Sequence, residues 1–332
     1  MSWEPTLSPK GGIFLPQLGW HLDARQRTDA SFVSHAHRDH LGRHRTILCT
    51  APTARLLAER LPGRRETIVL PFNEPWSLNS HTQATLYPAG HILGSAQCLL
   101  ENQHGRLLYT GDLKLRASPC AEPCMAPPGG ADVLIMETTF GKPRYRFPPA
   151  QEVAAAIVEF CRKAMSEHTV PVLLAYSLGK SQEALALLGE ARLPVMLHPQ
   201  AARLARIYAE CGLSLPHYMA LDPENALGHV VIAPPQADRS PEIRRIHRRR
   251  TALLSGWALD SWAVPSRRYD AAFPLSDHAD YDELLGYVAS VHPRLVYTVH
   301  GFATEFACDL RTRGIEAKAL GRENQMELLF PD

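Results

Sequence analysis

The chain has 332 residues, of which 45% are hydrophobic and 21% charged, so it is neither disordered nor fibrous, and its length predicts about two structural units. No stretch approaches a membrane span and the N-terminus lacks an apolar signal segment, so we expect a cytoplasmic protein with no membrane partner. Seven cysteines, an odd number, argue against a disulfide framework. The net charge of only +1 means that any contact with nucleic acid must be local.

Up to about residue 139, short apolar runs alternate with turn residues, which predicts strands. The predicted strands are Ala30–Val33, Thr46–Cys49, Thr67–Leu70, Ala84–Tyr87, Ala96–Leu100, Leu107–Thr110 and Val133–Met136. One helix, around Ala54–Leu61, interrupts them.

After Pro149 the pattern changes to helices alternating with strands. The predicted elements are helix Glu152–Met165, strand Val172–Tyr176, helix Ser181–Leu188, strand Val195–Leu197, helix Ala201–Glu210 and strand Val230–Ile232. Such alternation is typical of βαβ units and a parallel sheet. A third region follows, with strand Ala252–Ser255, helix Tyr281–Val291, strand Leu295–Val299 and helix Thr304–Arg313.

The strongest functional signal is the heptapeptide S-H-A-H-R-D-H at residues 34–40, directly after a predicted strand. Histidines two residues apart on extended backbone project to the same side, so His35 and His37 can bind one metal ion together. Asp39 and His40 follow and can reach a second ion. Imidazole and carboxylate are ligands of zinc, and oxygen-rich variants accept manganese. A polar loop that happens to collect histidines is the alternative, but four potential ligands in six residues favour a metal site.

Two further residues can complete the ligand set. His91 lies between two apolar strands, where Gly90 and Gly94 allow the loop backbone a close approach. Asp112 follows the strand Leu107–Thr110 and is preceded by a glycine. Alone, each would more often be a turn residue. Together they supply an imidazole and a carboxylate that can bridge two ions, as in metal-assisted hydrolysis.

The motifs H-A-H-R-D-H, A-G-H-I-L-G-S-A and Y-T-G-D resemble those of the metallo-β-lactamase superfamily. Glu137 in M-E-T-T-F-G, His278 in S-D-H-A-D-Y and His300 in V-H-G resemble the signatures of its beta-CASP nucleases, and Y-S-L-G-K-S-Q-E at residues 176–183 resembles the start of their inserted domain. Along nearly its whole length the chain is similar to bacterial ligase-associated DNA exonucleases.

The resemblance implies an α/β fold, an αββα sandwich formed by residues 1–147 and 256–332 and interrupted by an inserted α/β beta-CASP domain with a parallel sheet at 148–255. It also implies two zinc ions, with manganese as the alternative. The implied ligands are His35, His37 and His91 for the first ion, Asp39, His40 and His300 for the second, and Asp112 as the bridge. The implied catalytic residues are Glu137, His278 and Asp39.

Other residues are assigned supporting roles. Asp23 matches the first acidic motif of the family and would anchor the metal loop without binding the metal. Glu137 and His278 would deliver a proton to the leaving group, although a turn partner and a surface histidine are the alternatives. Asp280 followed by Glu283 predicts a helix N-cap with a capping box.

Lys180 and Ser181 open a predicted helix and can accept a phosphate, although an ordinary helix start explains them nearly as well. The basic run Arg244–Arg250 is either a solvated helix face or a phosphate contact. Three aromatic residues, Trp257, Trp262 and Tyr269, favour the core over base stacking. Cys120 and Cys124 lack the further ligands of a structural zinc site, which favours a plain loop.

The metal residues predict metal-assisted hydrolysis, and the resemblance implies a metal-dependent phosphodiesterase, a single-strand DNA exonuclease of DNA repair in functional association with a DNA ligase. An RNA-processing nuclease is the nearest alternative, since no residue is identified as a reader of the 2′-hydroxyl. A non-catalytic scaffold would be expected to lose metal ligands, whereas every position here is filled. A thioester or lactam hydrolase shares the metal residues but would not be expected to carry Glu137, His278 and His300.

Overall fold

A computed structural model describes residues 3–260 and 269–320. Its contacts group the chain into two compact units. Of the described residues, the first contains 3–146 and 278–320, and the second contains those between 147 and 277.

Strands are numbered along the chain. They are β1 (Thr6–Leu7), β2 (Ile13–Leu15), β3 (Trp20–Leu22), β4 (Ala30–Phe32), β5 (Thr46–Cys49), β6 (Glu66–Val69), β7 (Trp76–Ser77), β8 (Gln83–Pro88), β9 (Ala96–Asn102), β10 (Gly105–Tyr109), β11 (Val133–Glu137), β12 (Val170–Leu174), β13 (Val195–Leu197), β14 (Met219–Ala220), β15 (Val230–Ala233), β16 (Arg249–Leu254), β17 (Ala271–Phe273), β18 (Leu295–Val299) and β19 (Ala317–Ala319).

The α-helices of the described ranges are α1 (Ala51–Arg60), α2 (Ala150–Ser166), α3 (Lys180–Glu190), α4 (Pro199–Glu210), α5 (Pro241–Arg244), α6 (Tyr281–Val291) and α7 (Ala303–Thr312). Short 3₁₀ turns occupy Arg38–His40, Pro235–Arg239 and Gly256–Leu259. Within these ranges, no helix combines the length and apolar character needed to cross a bilayer.

The first unit contains two sheets between layers of helices. One sheet runs in the order β1-β2-β3-β4-β5-β6, and the other in the order β19-β18-β11-β10-β9-β8-β7. Apolar side chains of both sheets, such as Leu22 and Phe32 from the first and Leu100 and Leu107 from the second, share one buried cluster. Because strand side chains alternate between faces, each sheet also has an outer face to cover.

Helices cover the two outer faces. Leu57 of α1 packs with Ile47 of the first sheet. On the second sheet, α6 and α7 pack against Leu108 and Leu134. The layers therefore follow the order helix, sheet, sheet, helix, and the predicted αββα sandwich is confirmed.

The second unit is built on a parallel sheet in the order β14-β13-β15-β12-β16-β17. Both faces are buried, one beneath α2, α3 and α4 and the other beneath the segment that includes α5. The predicted parallel sheet is confirmed. The sheet includes Ala271–Phe273, which pairs with β16 and lies beyond the expected end of the insertion at residue 255. We therefore propose 147–277, rather than 148–255, as the extent of the inserted domain.

The basic run Arg244–Arg250 does not form a helix face. Helix α5 ends at Arg244, and β16 begins at Arg249 because its backbone pairs with β12 in the sheet. Arg250 forms a 2.7 Å ion pair with Glu167, and Arg248 donates to the carbonyl of that residue. The helical interpretation of this run is therefore wrong.

Candidate metal centre

Parallel strand ends position most of the predicted site. In the second sheet of the first unit, β10 pairs in parallel with β11 and β11 with β18. Asp112 follows β10, Glu137 ends β11, and His300 follows β18. Since the carboxyl ends of parallel strands meet at one edge, these three residues come together although they are distant in sequence.

The metal loop begins at the carboxyl end of β4. His35 is fully buried, and His40 closes the 3₁₀ turn and is 2% exposed. Asp39 and His37 are partly exposed at the open side.

Three imidazoles and one carboxylate converge from three loops. The ligand atoms of His35, His37, His91 and Asp112 all lie within 4.8 Å of one another. Nδ1 of His37 is 2.9 Å from Nε2 of His91. Oδ2 of Asp112 is 3.4 Å from Nε2 of His35 and 3.7 Å from Nε2 of His91. This is the group that the resemblance assigns to the first ion together with the bridging carboxylate.

A second group also adjoins Asp112. Nε2 of His40 lies 3.4 Å from Oδ2 of Asp112 and 3.5 Å from Oδ2 of Asp39. The ring of His300 lies farther away, with its centroid 5.6 Å from that of His40. Asp112 thus contacts an imidazole of each group, the position expected of a bridging ligand.

Asp23 holds the metal loop from behind. Its buried carboxylate accepts hydrogen bonds from the Ser34 amide at 2.7 Å and the Ser34 hydroxyl at 2.5 Å. The Tyr109 hydroxyl donates to it at 2.8 Å, and Nδ1 of His40 lies at the same distance. The bond to Nδ1 fixes the ring so that Nε2 points toward Asp112 and Asp39. This arrangement is the one expected of a residue that orients a ligand.

Two glycines permit the close packing of these loops. Gly90 has a φ of 78°, and an added Cβ would lie 2.0 Å from the carbonyl oxygen of Lys114. Gly111 has a φ of 56°, and an added Cβ would lie 2.5 Å from Cβ of Ser34. Only glycine combines this backbone conformation with so little space, so both residues help to bring His91 and Asp112 to the metal loop.

The pKa shifts within the cluster favour a neutral form for some groups and a charged form for others. Burial disfavours the ionised carboxylate of Asp112, but the His40 and His35 rings hold its pKa well below the ordinary value. Burial also opposes a charge on His40, yet Asp112 and Asp39 raise its pKa well above the ordinary value. Burial and the neighbouring His40 lower the pKa of His35 and of His300. A neutral imidazole is the form that binds a cation.

One buried atom tests whether the residues fit a metal ion. Nδ1 of His35 lies 2.9 Å from the Ser34 hydroxyl, whereas Nε2 is buried with no hydrogen-bond partner in the described structure. A buried polar atom without a partner costs about 1–3 kcal/mol. A cation among His35, His37, His91 and Asp112 would satisfy this nitrogen, and the donor set suits a divalent ion. The residues therefore fit a divalent metal centre.

Glu137 and His278 form a pair beside the cluster. Glu137 is fully buried, and its Oε1 lies 2.9 Å from Nδ1 of His278 and accepts from the Leu113 amide at 2.8 Å. Its other oxygen accepts from the Thr139 amide at 3.1 Å. The His278 ring is 4.7 Å from that of His91 and remains partly exposed. A buried carboxylate thus orients an accessible imidazole next to the predicted metal ligands.

The structure agrees with some of the predictions made for the supporting residues and not with others. Asp280 caps α6 with the predicted Glu283 capping box. Tyr269 belongs to the core of the second unit, whereas Trp262 lies outside the described residues. Lys180 is 2% exposed, and its Nζ forms a 2.5 Å ion pair with Asp277. The Ser181 hydroxyl donates to the Tyr176 carbonyl at 2.7 Å. Both polar groups are therefore engaged within the unit.

Sequence reasoning missed two contributors, Ser34 and Tyr109, both of which bind Asp23. Each stands within or beside a motif that had been noticed for its metal ligands. Their role could have been suspected, because the carboxylate of Asp23 follows a strand, and a buried carboxylate needs hydrogen-bond donors.

Comparisons with known proteins agree with this site. Residues 271–320 match the family described as "Zn-dependent metallo-hydrolase RNA specificity domain". The chain is 53% identical to the "Probable DNA ligase" of Opitutus terrae over 329 residues, which cover 99% of this chain and 32% of that protein. It is 28% identical to the "5′ exonuclease Apollo" of Mus musculus over 326 residues, 87% of this chain and 55% of that protein.

A solved structure of a protein of unknown function from Enterococcus faecalis V583 matches with a TM-score of 0.58 and 15% identity, covering 89% of this chain and 80% of that one. This likeness concerns the fold alone. The chain spans about a third of the first curated relative and just over half of the second.

The αββα sandwich, the inserted parallel sheet and the His/Asp cluster at the strand ends agree with these matches. The comparisons therefore support the resemblance to the metallo-β-lactamase superfamily and its beta-CASP nucleases.

Proposed function

We propose that the chain is a metal-dependent phosphodiesterase that hydrolyses nucleic acid, a single-strand DNA exonuclease working in cytoplasmic DNA repair with two zinc ions. The observation that carries the proposal is the convergence of His35, His37, His91 and Asp112 within 4.8 Å around a buried imidazole nitrogen that has no hydrogen-bond partner in the described structure.

The protein residues would hold the ions in two groups that share Asp112. His35, His37 and His91 form one group. Asp39, His40 and His300 form the other. Two zinc ions bound there would act as Lewis acids on a phosphate oxygen and supply an activated water as the nucleophile. Asp23 keeps His40 in the orientation that this requires.

Proton delivery falls to His278. The leaving oxygen of a phosphodiester is a poor leaving group unless it receives a proton, and an oriented imidazole is the common donor. Glu137 binds Nδ1 of His278, so Nε2 is the atom that carries the transferred proton. The negative charge of Glu137 favours the protonated ring.

The preference for DNA draws on the relatives. One relative is named a probable DNA ligase and another a 5′ exonuclease. The first match extends over 99% of this chain and 32% of the relative. The same name supports a functional association with a DNA ligase.

An RNA-processing nuclease is the second candidate. The observation that favours it is the match of residues 271–320, which include His278 and His300, to a family described by RNA specificity.

The decisive experiment uses end-labelled single strands of DNA and RNA with the same sequence, incubated with purified full-length chain across zinc, manganese and magnesium. We expect DNA cleaved from one end, with zinc or manganese required, and no cleavage by the Asp112→Ala variant. Cleavage of RNA with DNA left intact would reverse the order of the two candidates. Inactivity on both strands, with metal stoichiometrically bound, would favour a non-catalytic scaffold.

A further inference from the structure

A basic cleft lies in the first unit, away from the predicted metal ligands. Five arginines line it: Arg27, Arg43, Arg45, Arg64 and Arg65. Its volume is about 810 Å³, and Glu66 is the single carboxylate among the described residues of its lining. We call it the arginine cleft.

The arginines of the cleft are not neutralised by carboxylates of the described residues. Among the residues that the structure describes, none of the five forms an ion pair with a carboxylate. The hydrogen bonds of the Arg43 and Arg65 side chains within the described ranges go to backbone carbonyls, those of Pro62 and Leu61. Nη1 of Arg65 is buried and has no partner in the described chain. In a protein whose net charge is +1, this is an uncompensated local concentration of positive charge.

The guanidinium groups also stand close together. An added Cβ on Gly63 would lie 3.4 Å from Nη1 of Arg43 and 3.7 Å from Nη2 of Arg65, so both guanidinium groups lie next to the same backbone position. Burial and the nearby Arg43 lower the pKa of Arg65. Like charges gathered in this way repel one another, and an anion in the cleft would relieve the repulsion.

The topology separates the cleft from the metal centre. Strands β4, β5 and β6 pair in parallel, with Ala30, Thr46 and Glu66 in register at their amino ends. Arg45 and Arg65 directly precede β5 and β6, and Arg27 lies shortly before β4. The metal loop starts instead at the carboxyl end of β4. The arginine cleft and the metal loop therefore belong to opposite edges of one sheet.

The chemistry of the lining selects the ligand. A guanidinium presents a planar fork that matches phosphate oxygens, and the cations of the lining are arginines, with no lysine among its described residues. Among its described residues there is no aliphatic side chain that could anchor a partner protein's apolar residue. Its one aromatic ring among those residues is the imidazole of His44, which is 3% exposed and therefore leaves little open face for base stacking. These features favour a ligand recognised through its phosphates without regard to base sequence.

We propose that the arginine cleft binds the phosphodiester backbone of nucleic acid, as an accessory contact outside the metal centre. This inference rests on the proposed function, because it makes the cleft a second binding site for the same substrate. It predicts that a long strand binds more tightly than a short one and that much of this gain is lost at high salt.

The test compares two double variants with the same change in charge. Arg45→Glu/Arg64→Glu alters exposed arginines that have no side-chain hydrogen bond in the described structure. The control, Arg294→Glu/Lys318→Glu, alters exposed cations of the same unit that already face Asp132 and Glu316. Binding of labelled oligodeoxythymidylates of about 30 and about 6 nucleotides is measured by fluorescence anisotropy, with chelator present to prevent hydrolysis.

We expect Arg45→Glu/Arg64→Glu to raise the Kd of the long strand at least tenfold. We also expect it to reduce the slope of log K against log salt by about 1.4, since each lost phosphate contact on a single strand contributes roughly 0.7. The control should change Kd less than twofold. If Arg45→Glu/Arg64→Glu proves unfolded by circular dichroism, Arg27→Ala supplies the test, with a smaller rise in Kd expected.

Equal Kd values for the two double variants would overturn the proposal. It would also be overturned if the cleft variant lost binding of polyglutamate or of inorganic tripolyphosphate while binding the long strand normally. Hydrolysis of bis(4-nitrophenyl) phosphate by the wild-type chain is measured in parallel. Failure of that hydrolysis counts against the proposed function alone, whereas unchanged strand binding counts against the cleft alone.

Discussion

Replacement of His278 by alanine should impair cleavage of nucleic acid far more than cleavage of an activated ester. The buried Glu137 carboxylate lies 2.9 Å from Nδ1 of His278, and the ring lies beside His91, a predicted metal ligand. An oriented general acid contributes about 10²–10⁴ in rate, which corresponds to roughly 2.7–5.4 kcal/mol of transition-state stabilisation. A loss of that size is therefore expected for an oligonucleotide substrate.

The assay exploits the leaving group. A 4-nitrophenolate departs without a proton, so His278→Ala should reduce turnover of bis(4-nitrophenyl) phosphate less than about tenfold. The matched control is His217→Ala, which removes an exposed imidazole from the second unit and should leave both activities unchanged.

Glu137→Gln should give a weaker version of the same pattern, with an oligonucleotide defect of about 10–100-fold, because the amide can still orient the ring but no longer favours its charge. Equal losses on both substrates for His278→Ala would refute the proton-donor role and point to a role in binding or in the metal site.

Further predictions concern the bridge, the inserted unit and pH. Asp112→Ala should abolish hydrolysis and lower metal content measured by atomic emission, with circular dichroism unchanged, because this carboxylate contacts both histidine groups; a metal-replete, active variant would contradict the assignment. Lys180→Met should reduce the free energy of unfolding in urea by about 3 kcal/mol, since it leaves the buried Asp277 without its 2.5 Å cation; a loss below about 1 kcal/mol would show that the pair contributes little. Burial lowers the pKa of His44 to about 4, so the free energy of unfolding decreases as the pH falls from 6.5 to 4. His44→Asn should remove about 2 kcal/mol of that decrease after allowance for solvent screening, and parallel plots of unfolding free energy against pH for the two proteins would argue against it.

Some elements were predictable from local pattern, and others were not. Thr46–Cys49, Val195–Leu197, Tyr281–Val291 and Leu295–Val299 match the predicted bounds because they are apolar runs bounded by polar or turn residues. The strands Trp76–Ser77 and Ala317–Ala319 carry no usable periodicity. They exist because a neighbouring strand supplies hydrogen-bond partners, and that information lies elsewhere in the chain.

The metal residues could be proposed from sequence because four of them stand within one heptapeptide. Their meeting with His91, Asp112 and His300 depends on the order of strands in two sheets, and here the family resemblance supplied what periodicity could not. The arginine cleft shows the limit of this approach. Sequence reasoning singled out the contiguous run Arg244–Arg250, part of which is paired with Glu167, and passed over arginines that are scattered along the chain.

The first sheet explains why those scattered arginines gather. Between parallel strands the chain must return to the same edge of the sheet before the next strand begins. Residues that precede β4, β5 and β6 therefore become neighbours, although Arg27 and Arg65 are 38 positions apart in sequence. The opposite edge of the sheet carries His35, His37 and His40, which follow β4 in a single loop. Substitutions at the amino edge should therefore change how tightly and how salt-sensitively a strand is held. Substitutions at the carboxyl edge should change the rate of the chemical step.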